Sequence, residues 1–143
     1  VMGKGCASRA KEKWSGIDKE LGTNIMTVGN VPAPLHETKN YVVISFPVKP
    51  KYTFCNKDKS NVVTHMKQQF NPGEKVPGWA AIANIEIIKK SAKRLIQLIN
   101  VLECKNIVLP RPGCGAGELN WLEVYDSISP ILDDRFKVIT FRK

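Results

Sequence analysis

What this chain of 143 residues lacks narrows its class before anything it contains. No run of eighteen apolar residues occurs, so no segment is expected to cross a bilayer as a helix. Residues 1–5 have no apolar stretch behind them, so no secretory signal is expected. The four cysteines, Cys6, Cys55, Cys104 and Cys114, are scattered without a C-x-x-C pair, and the only histidines are His36 and His65. That scarcity speaks against a structural metal and for free thiols in a cytoplasmic protein. No metal, cofactor or membrane partner is expected. The G-x-x-x-x-G-K-[ST] spacing of a nucleoside-triphosphate loop is missing, as is G-x-G-x-x-G in its dinucleotide-binding order. Acid is short too: 13 carboxylates face 22 basic side chains, a formal charge of +9. Such a surface favours anionic partners: phosphates, nucleic acid or acidic proteins. Without an aromatic-interleaved RNA motif or a basic tail, nucleic acid is the lesser expectation, and a merely solvated basic face is the bland alternative.

What is present is ordinary globular material, with 43% hydrophobic and 24% charged residues, and its length suits a single domain over residues 1–143. Residues 5–14 read as a helix, with Ala7, Ala10 and Trp14 on one face. Gly16 interrupts it, residues 17–21 add a turn, and Gly22 is the expected C-cap. Residues 24–31 read as a weak strand before Pro32 and Pro34. Residues 41–46 form the best strand, apolar enough for burial on both faces. Residues 49–77 look long and irregular, which is usually functional or mobile, with a short helix over 62–70. A strongly amphipathic helix is expected over 80–102, its stripe running through Ile82, Ile85, Ile88, Ala92, Leu95, Ile96, Ile99 and Leu102. Residues 105–109 and 136–141 read as strands, and between them Asn120 caps a helix with Glu123 at the capping-box position. The order predicts an α/β layered domain with a largely parallel sheet, in which ligands bind beyond the carboxyl ends of strands.

The most telling stretch is 110–121, Pro-Arg-Pro-Gly-Cys-Gly-Ala-Gly-Glu-Leu-Asn-Trp. It links a strand to a helix through three glycines in five residues. Glycines let main-chain N–H groups approach an anion, and a helix N-terminus adds a favourable dipole. The alternative is a plain strand-to-helix turn. A second glycine loop lies at residues 1–5, and a proline-bracketed lysine, Lys49, follows the best strand between Pro47 and Pro50.

Together these three pieces resemble the macrodomain family, which binds ADP-ribose, in its phage and bacterial branch near the DarG antitoxin macrodomains. Val-Met-Gly-Lys-Gly-Cys-Ala at 1–7 is similar to the first ligand loop. Residues 109–121 resemble the second, commonly P-x-x-G-C-G-x-G-G-L-x-W. Ser-Phe-Pro-Val-Lys at 45–49 resembles the F-P-T-K element, whose lysine serves enzymes that strip ADP-ribose from DNA bases. The resemblance implies a three-layer α/β/α fold with a mixed, largely parallel central sheet. It also departs in three places. The family carries one or two strands ahead of the first loop, so residues preceding Val1 are expected in the natural protein. Glu118 stands where the branch usually has glycine, and Gly117 where a related lysine-dependent hydrolase has aspartate. Residues 51–79 far exceed the matching turn and form either a lid or a partner surface.

The resemblance assigns ligand contacts to Met2, Gly3, Gly5, Cys6, Ala7, Pro47, Gly113, Cys114, Gly115, Ala116 and Gly117, and catalysis to Lys49 and Glu118. Lys49 would either stabilise charge developing on the departing group or, if desolvated, attack the anomeric carbon. Lys51 is the alternative if the register slips. Glu118 would accept from a ribose hydroxyl, serve as a general base, or merely complement the helix dipole. Cys114 reads as small packing, the three tryptophans as core, and Phe141 as either core or an adenine platform. The function implied is binding of ADP-ribose and hydrolysis of an ADP-ribosyl link on a macromolecule. A non-catalytic ADP-ribose reader and a nucleic-acid-binding protein are the rivals.

Overall fold

A computed structural model describes residues 5–140, the side chains of 5–8 and 24–28 apart. Helix α1 (Gly5–Lys13) ends at Gly16, whose φ of 84° turns the chain directly into α2 (Ile17–Val28). Ile17 is buried in that joint, and its amide donates to the Trp14 carbonyl at 3.2 Å. The expected break at Gly22 and the weak strand over 24–31 are overturned, because α2 runs through Gly22 to Val28. The β-branched residues there have strand propensity, but propensity yields once a helix is nucleated and packed. The left-handed residue that ends α2 is Gly29, with φ 91°.

Strand β1 (Pro34–Glu37) pairs antiparallel with β2 (Val42–Ile44). Trp14 packs on this hairpin beside His36 and Tyr41, and its Nε1 donates to the Tyr41 hydroxyl at 3.3 Å. Strand β5 (Ile107–Pro110) pairs in parallel with β6 (Phe136–Ile139). The turn into β6 is fixed by Asp133, which accepts from the Arg135 amide and guanidinium. The described strands make three two-stranded ladders, and β5–β6 alone among them is parallel, so the expected continuous, largely parallel sheet is not seen. Instead the free sides of β2 and β5 line a cleft of about 540 Å³, shared with Leu95, Ile99 and Leu102 of α3 (Ile85–Val101) and the residue after it. Residues 42–46 are consequently half-buried and Tyr41 exposed, where burial on both faces was expected.

The long segment after Lys49 is structured. Strand β3 (Tyr52–Phe54) pairs antiparallel with β4 (Lys75–Pro77), and 3-10 turns occupy Thr64–Gln69 and Gly78–Ala80. Cys55, Val62, Val76, Ala80 and Ala81 form a core of their own, covered by Met66 and Phe70. Local pattern hid this because the strands are three residues each and pair across about twenty intervening ones. The 3-10 turn at Gly78–Ala80 and the bridge of Ala81 to Val62 also delay α3. The helix begins at Ile85, five residues later than its apolar pattern suggests, where Asn84 accepts from the Ile87 amide at 3.1 Å.

The main core lies between α3 and α4 (Trp121–Ile128), with Ala83, Ile88, Ala92, Val124 and Ile128 at its centre. Phe46 and Val48 seal it from the strand end that carries Lys49, and Cys114 and Leu119 from the glycine loop. The expected cap of α4 is as read: Asn120 accepts from the Leu122 amide at 2.9 Å. Of the tryptophans read as core, Trp121 packs there, but Trp79 is half exposed.

Candidate ligand-binding site

Three connections draw the glycine loop and the Lys49 turn together. Ser91, buried on α3, donates to the Pro47 carbonyl at 2.7 Å. The Asn84 amide donates to the Val48 carbonyl at 2.8 Å, and the neighbouring Ala83 amide to the Gly117 carbonyl at 3.0 Å. Consecutive residues of one short segment therefore hold Val48 and Gly117 as neighbours. From the other side, the Asn30 side chain just past α2 donates to the Lys49 carbonyl at 2.9 Å. Ser91 and Asn30 were not singled out in the sequence. A serine in an otherwise apolar helical stripe was the available signal for the first; the second had none.

The loop has the shape its glycines predict. Gly113 takes φ 73°, and its carbonyl accepts from Leu119 at 2.8 Å. A Cβ at Gly117 would lie 2.6 Å from both Ala83 Cβ and the Gly113 oxygen, so only glycine fits. Gly115 has open space around it and, with Ala116, is exposed. Among the described residues, the amides of Gly115, Ala116 and Gly117 donate to no protein acceptor, while the Gly115 carbonyl accepts from Glu118 at 3.0 Å. Unspent main-chain donors on a glycine turn that leads towards a helix N-terminus are the kind of group an anion accepts from.

Cys114 supports the packing reading. Its thiol lies against the main core and donates to the Pro112 carbonyl at 3.4 Å. Burial pushes its pKa above the ordinary thiol range, against the opposing pull of Arg111, so it is poorly suited to act as a thiolate.

Lys49 Nζ donates to the Trp79 carbonyl at 3.1 Å. Glu118, in the left-handed region at φ 62°, directs both carboxylate oxygens at Thr64: Oε1 accepts from the hydroxyl at 2.7 Å and Oε2 from the amide at 2.8 Å. Those bonds, the hydroxyl's foremost, hold its pKa below the usual carboxylate range. Lys49 and Glu118 thus each bind the 51–79 segment, one at either end of its second half. Lys51 belongs to the same junction through its carbonyl, which accepts from the Gly78 amide at 2.9 Å. Met2 and Gly3 lie outside the described residues. Gly5, Cys6 and Ala7 form the first turn of α1 as main chain, with their side chains undescribed. Phe141 is likewise outside. Among the described residues no cluster of His, Cys, Asp or Glu is arranged to hold a metal.

No protein-family model matches this chain, and no curated protein matches its sequence. In three dimensions it is similar to the macrodomain of Mycobacterium tuberculosis DarG, with a TM-score of 0.68 over 100% of this chain and 82% of that one, at 17% sequence identity. At that identity the likeness speaks for the fold.

Proposed function

We propose that this chain, a macrodomain in fold, binds ADP-ribose or a derivative of it and hydrolyses an ADP-ribosyl link on a macromolecule. The observation that carries the reading is the row of undonated amides at Gly115, Ala116 and Gly117, set beside the strand end that bears Lys49. Two phosphates need several donors that do not crowd them, and a glycine turn at a helix N-terminus supplies them. Gly113 and Cys114 shape that turn, and Pro47 shapes the turn opposite. The first loop, Met2 and Gly3 leading into Gly5, Cys6 and Ala7, would close on the diphosphate from the other side. The β1–β2 and β5–β6 ladders would then be parts of one central sheet in a three-layer domain; the cleft lined by both supports that arrangement.

In the hydrolysis, water attacks the anomeric carbon of the distal ribose while the bond to the departing group breaks; that group leaves with the electron pair and takes up the proton the water gives away. Lys49 acts as the donor that stabilises this developing charge, a role suited to a side chain already donating to a carbonyl oxygen. Glu118 serves the site through its grip on Thr64, which engages both carboxylate oxygens and lowers the basicity a general base would need.

That engagement also favours the second reading, a reader that binds ADP-ribose without chemistry. Titration calorimetry with ADP-ribose, paired with release assays on ADP-ribosylated protein and DNA, separates the two. Lys49→Ala should abolish release and leave binding nearly intact; unchanged turnover removes Lys49 from the mechanism. Gly115→Glu places a carboxylate in open space beside the amides, so ADP-ribose affinity should fall more than tenfold with no loss of folding. Full affinity in that variant would refute this role for the amides.

A further inference from the structure

The hairpin β3–β4 has two unlike faces. Its inner face carries Val76 and leads to Cys55, both buried in the segment's own core. Its outer face carries Tyr52 and Phe54, half and more than half exposed, and opposite them Lys75 and Pro77. Large apolar side chains on the wet face of a short hairpin bring the fold less burial than they would in its core. Here they are also arranged. The two rings meet edge to face at 5.8 Å between centroids, and the Lys75 ammonium lies 4.4 Å from the Tyr52 centroid. Residues 51–79 carry five lysines against two carboxylates, within a chain of net charge +9.

Aromatic platforms interleaved with lysine are the chemistry of single-stranded polynucleotide binding: bases stack on the rings, and ammonium groups meet the phosphates. A protein partner fits less well, because the cores of protein interfaces are depleted in lysine. Duplex fits less well again, since its bases are already stacked and hide their faces. We propose that the outer face of β3–β4 docks a single-stranded polynucleotide, with bases stacked on Tyr52 and Phe54 and the backbone held by Lys75. Nothing on this face reads a sugar hydroxyl, so DNA and RNA strands bind alike. The proposal does not depend on the ligand assigned to the glycine loop. The motif is invisible along the chain because its aromatics and its lysine sit on strands about twenty residues apart.

Fluorescence anisotropy with labelled oligothymidylate, the matching oligouridylate and a duplex tests it on the whole chain. Both single strands should bind within a few-fold of each other and more tightly than the duplex, with affinity falling as salt rises. Tyr52→Ala with Phe54→Ala should weaken binding roughly tenfold or more. Exchanging the two rings, Tyr52→Phe with Phe54→Tyr, should preserve it. Lys75→Gln should lower the slope of log affinity against log salt by about 0.7. Both aromatic side chains are at least half exposed and outside the buried clusters, so these variants should stay folded, with cooperative thermal melts. Equal binding by the alanine pair, or equal or tighter binding of duplex, overturns the proposal. So does concentration-dependent self-association that the alanine pair abolishes, which would make this face a contact between copies.

Discussion

At the scale of single residues, three glycines of one loop do different work. Gly113 supplies a left-handed turn, Gly117 a close approach to Ala83, and Gly115 an open flank. An added methyl tells them apart. Gly117→Ala forces Cβ within 2.6 Å of a neighbouring Cβ and of a main-chain oxygen, and neither can give way without moving the loop or the segment that precedes α3. The expected loss is about 1–3 kcal/mol. Gly115→Ala meets nothing and should stay within about 0.5 kcal/mol of the parent. Urea midpoints at fixed slope measure both, and equal values for the two variants would contradict the packing described. Glu118 is the opposite case. It holds a left-handed backbone without being glycine, at a cost of about 1–2 kcal/mol, and the two bonds to Thr64 offset part of that.

At the scale of elements, that carboxylate ties the glycine loop to the 51–79 segment, and its titration should report on the tie. Because Thr64 lowers the pKa of Glu118 in the folded chain, the clamp contributes stability above the unfolded carboxylate pKa and loses it as pH falls through the folded one. The Thr64 amide-proton shift should therefore be flat at neutral pH and move only below the ordinary carboxylate range. Thr64→Val keeps the amide and removes the hydroxyl, so the inflection should climb towards the ordinary value. An inflection at the same pH in both proteins would mean the hydroxyl bond is not what holds Glu118. The elements themselves were unevenly legible in the sequence. Helix α3 showed through its stripe, and α4 through Asn120, because both signals are local. Strands β3 and β4 did not, since each is too short for a period to register and their pairing is long-range. The second half of α2 reads as strand along the chain because Ile25, Thr27 and Val28 are β-branched, whereas the helix is bounded by the left-handed glycines Gly16 and Gly29. The glycine loop and the Lys49 turn were legible as parts, but not the Ser91, Ala83 and Asn84 bonds that bring them together.

At the scale of the whole molecule, two separate cores set how it should come apart. The cluster around Val76 is small and belongs to one segment; the cluster around Ile88 and Val124 joins α3 to α4. The two meet through hydrogen bonds at the junction: Lys49 to Trp79, Thr64 to Glu118, and Ile82 to Asn61. A unit that docks mainly through polar contacts, over its own small core, opens at lower free energy than the rest. Val76→Ala removes two methyl groups from a fully buried site, at about 2 kcal/mol. Hydrogen exchange should then accelerate across residues 52–81 while amides of α3 and α4 keep their protection. The corresponding change in the other cluster, Val124→Ala, should accelerate exchange everywhere, because the segment has nothing to dock on once α3 and α4 separate. If both variants loosen the same amides to the same degree, the molecule opens as one unit. The 51–79 segment would then be an integral wall of the ligand site, unable to swing over it independently.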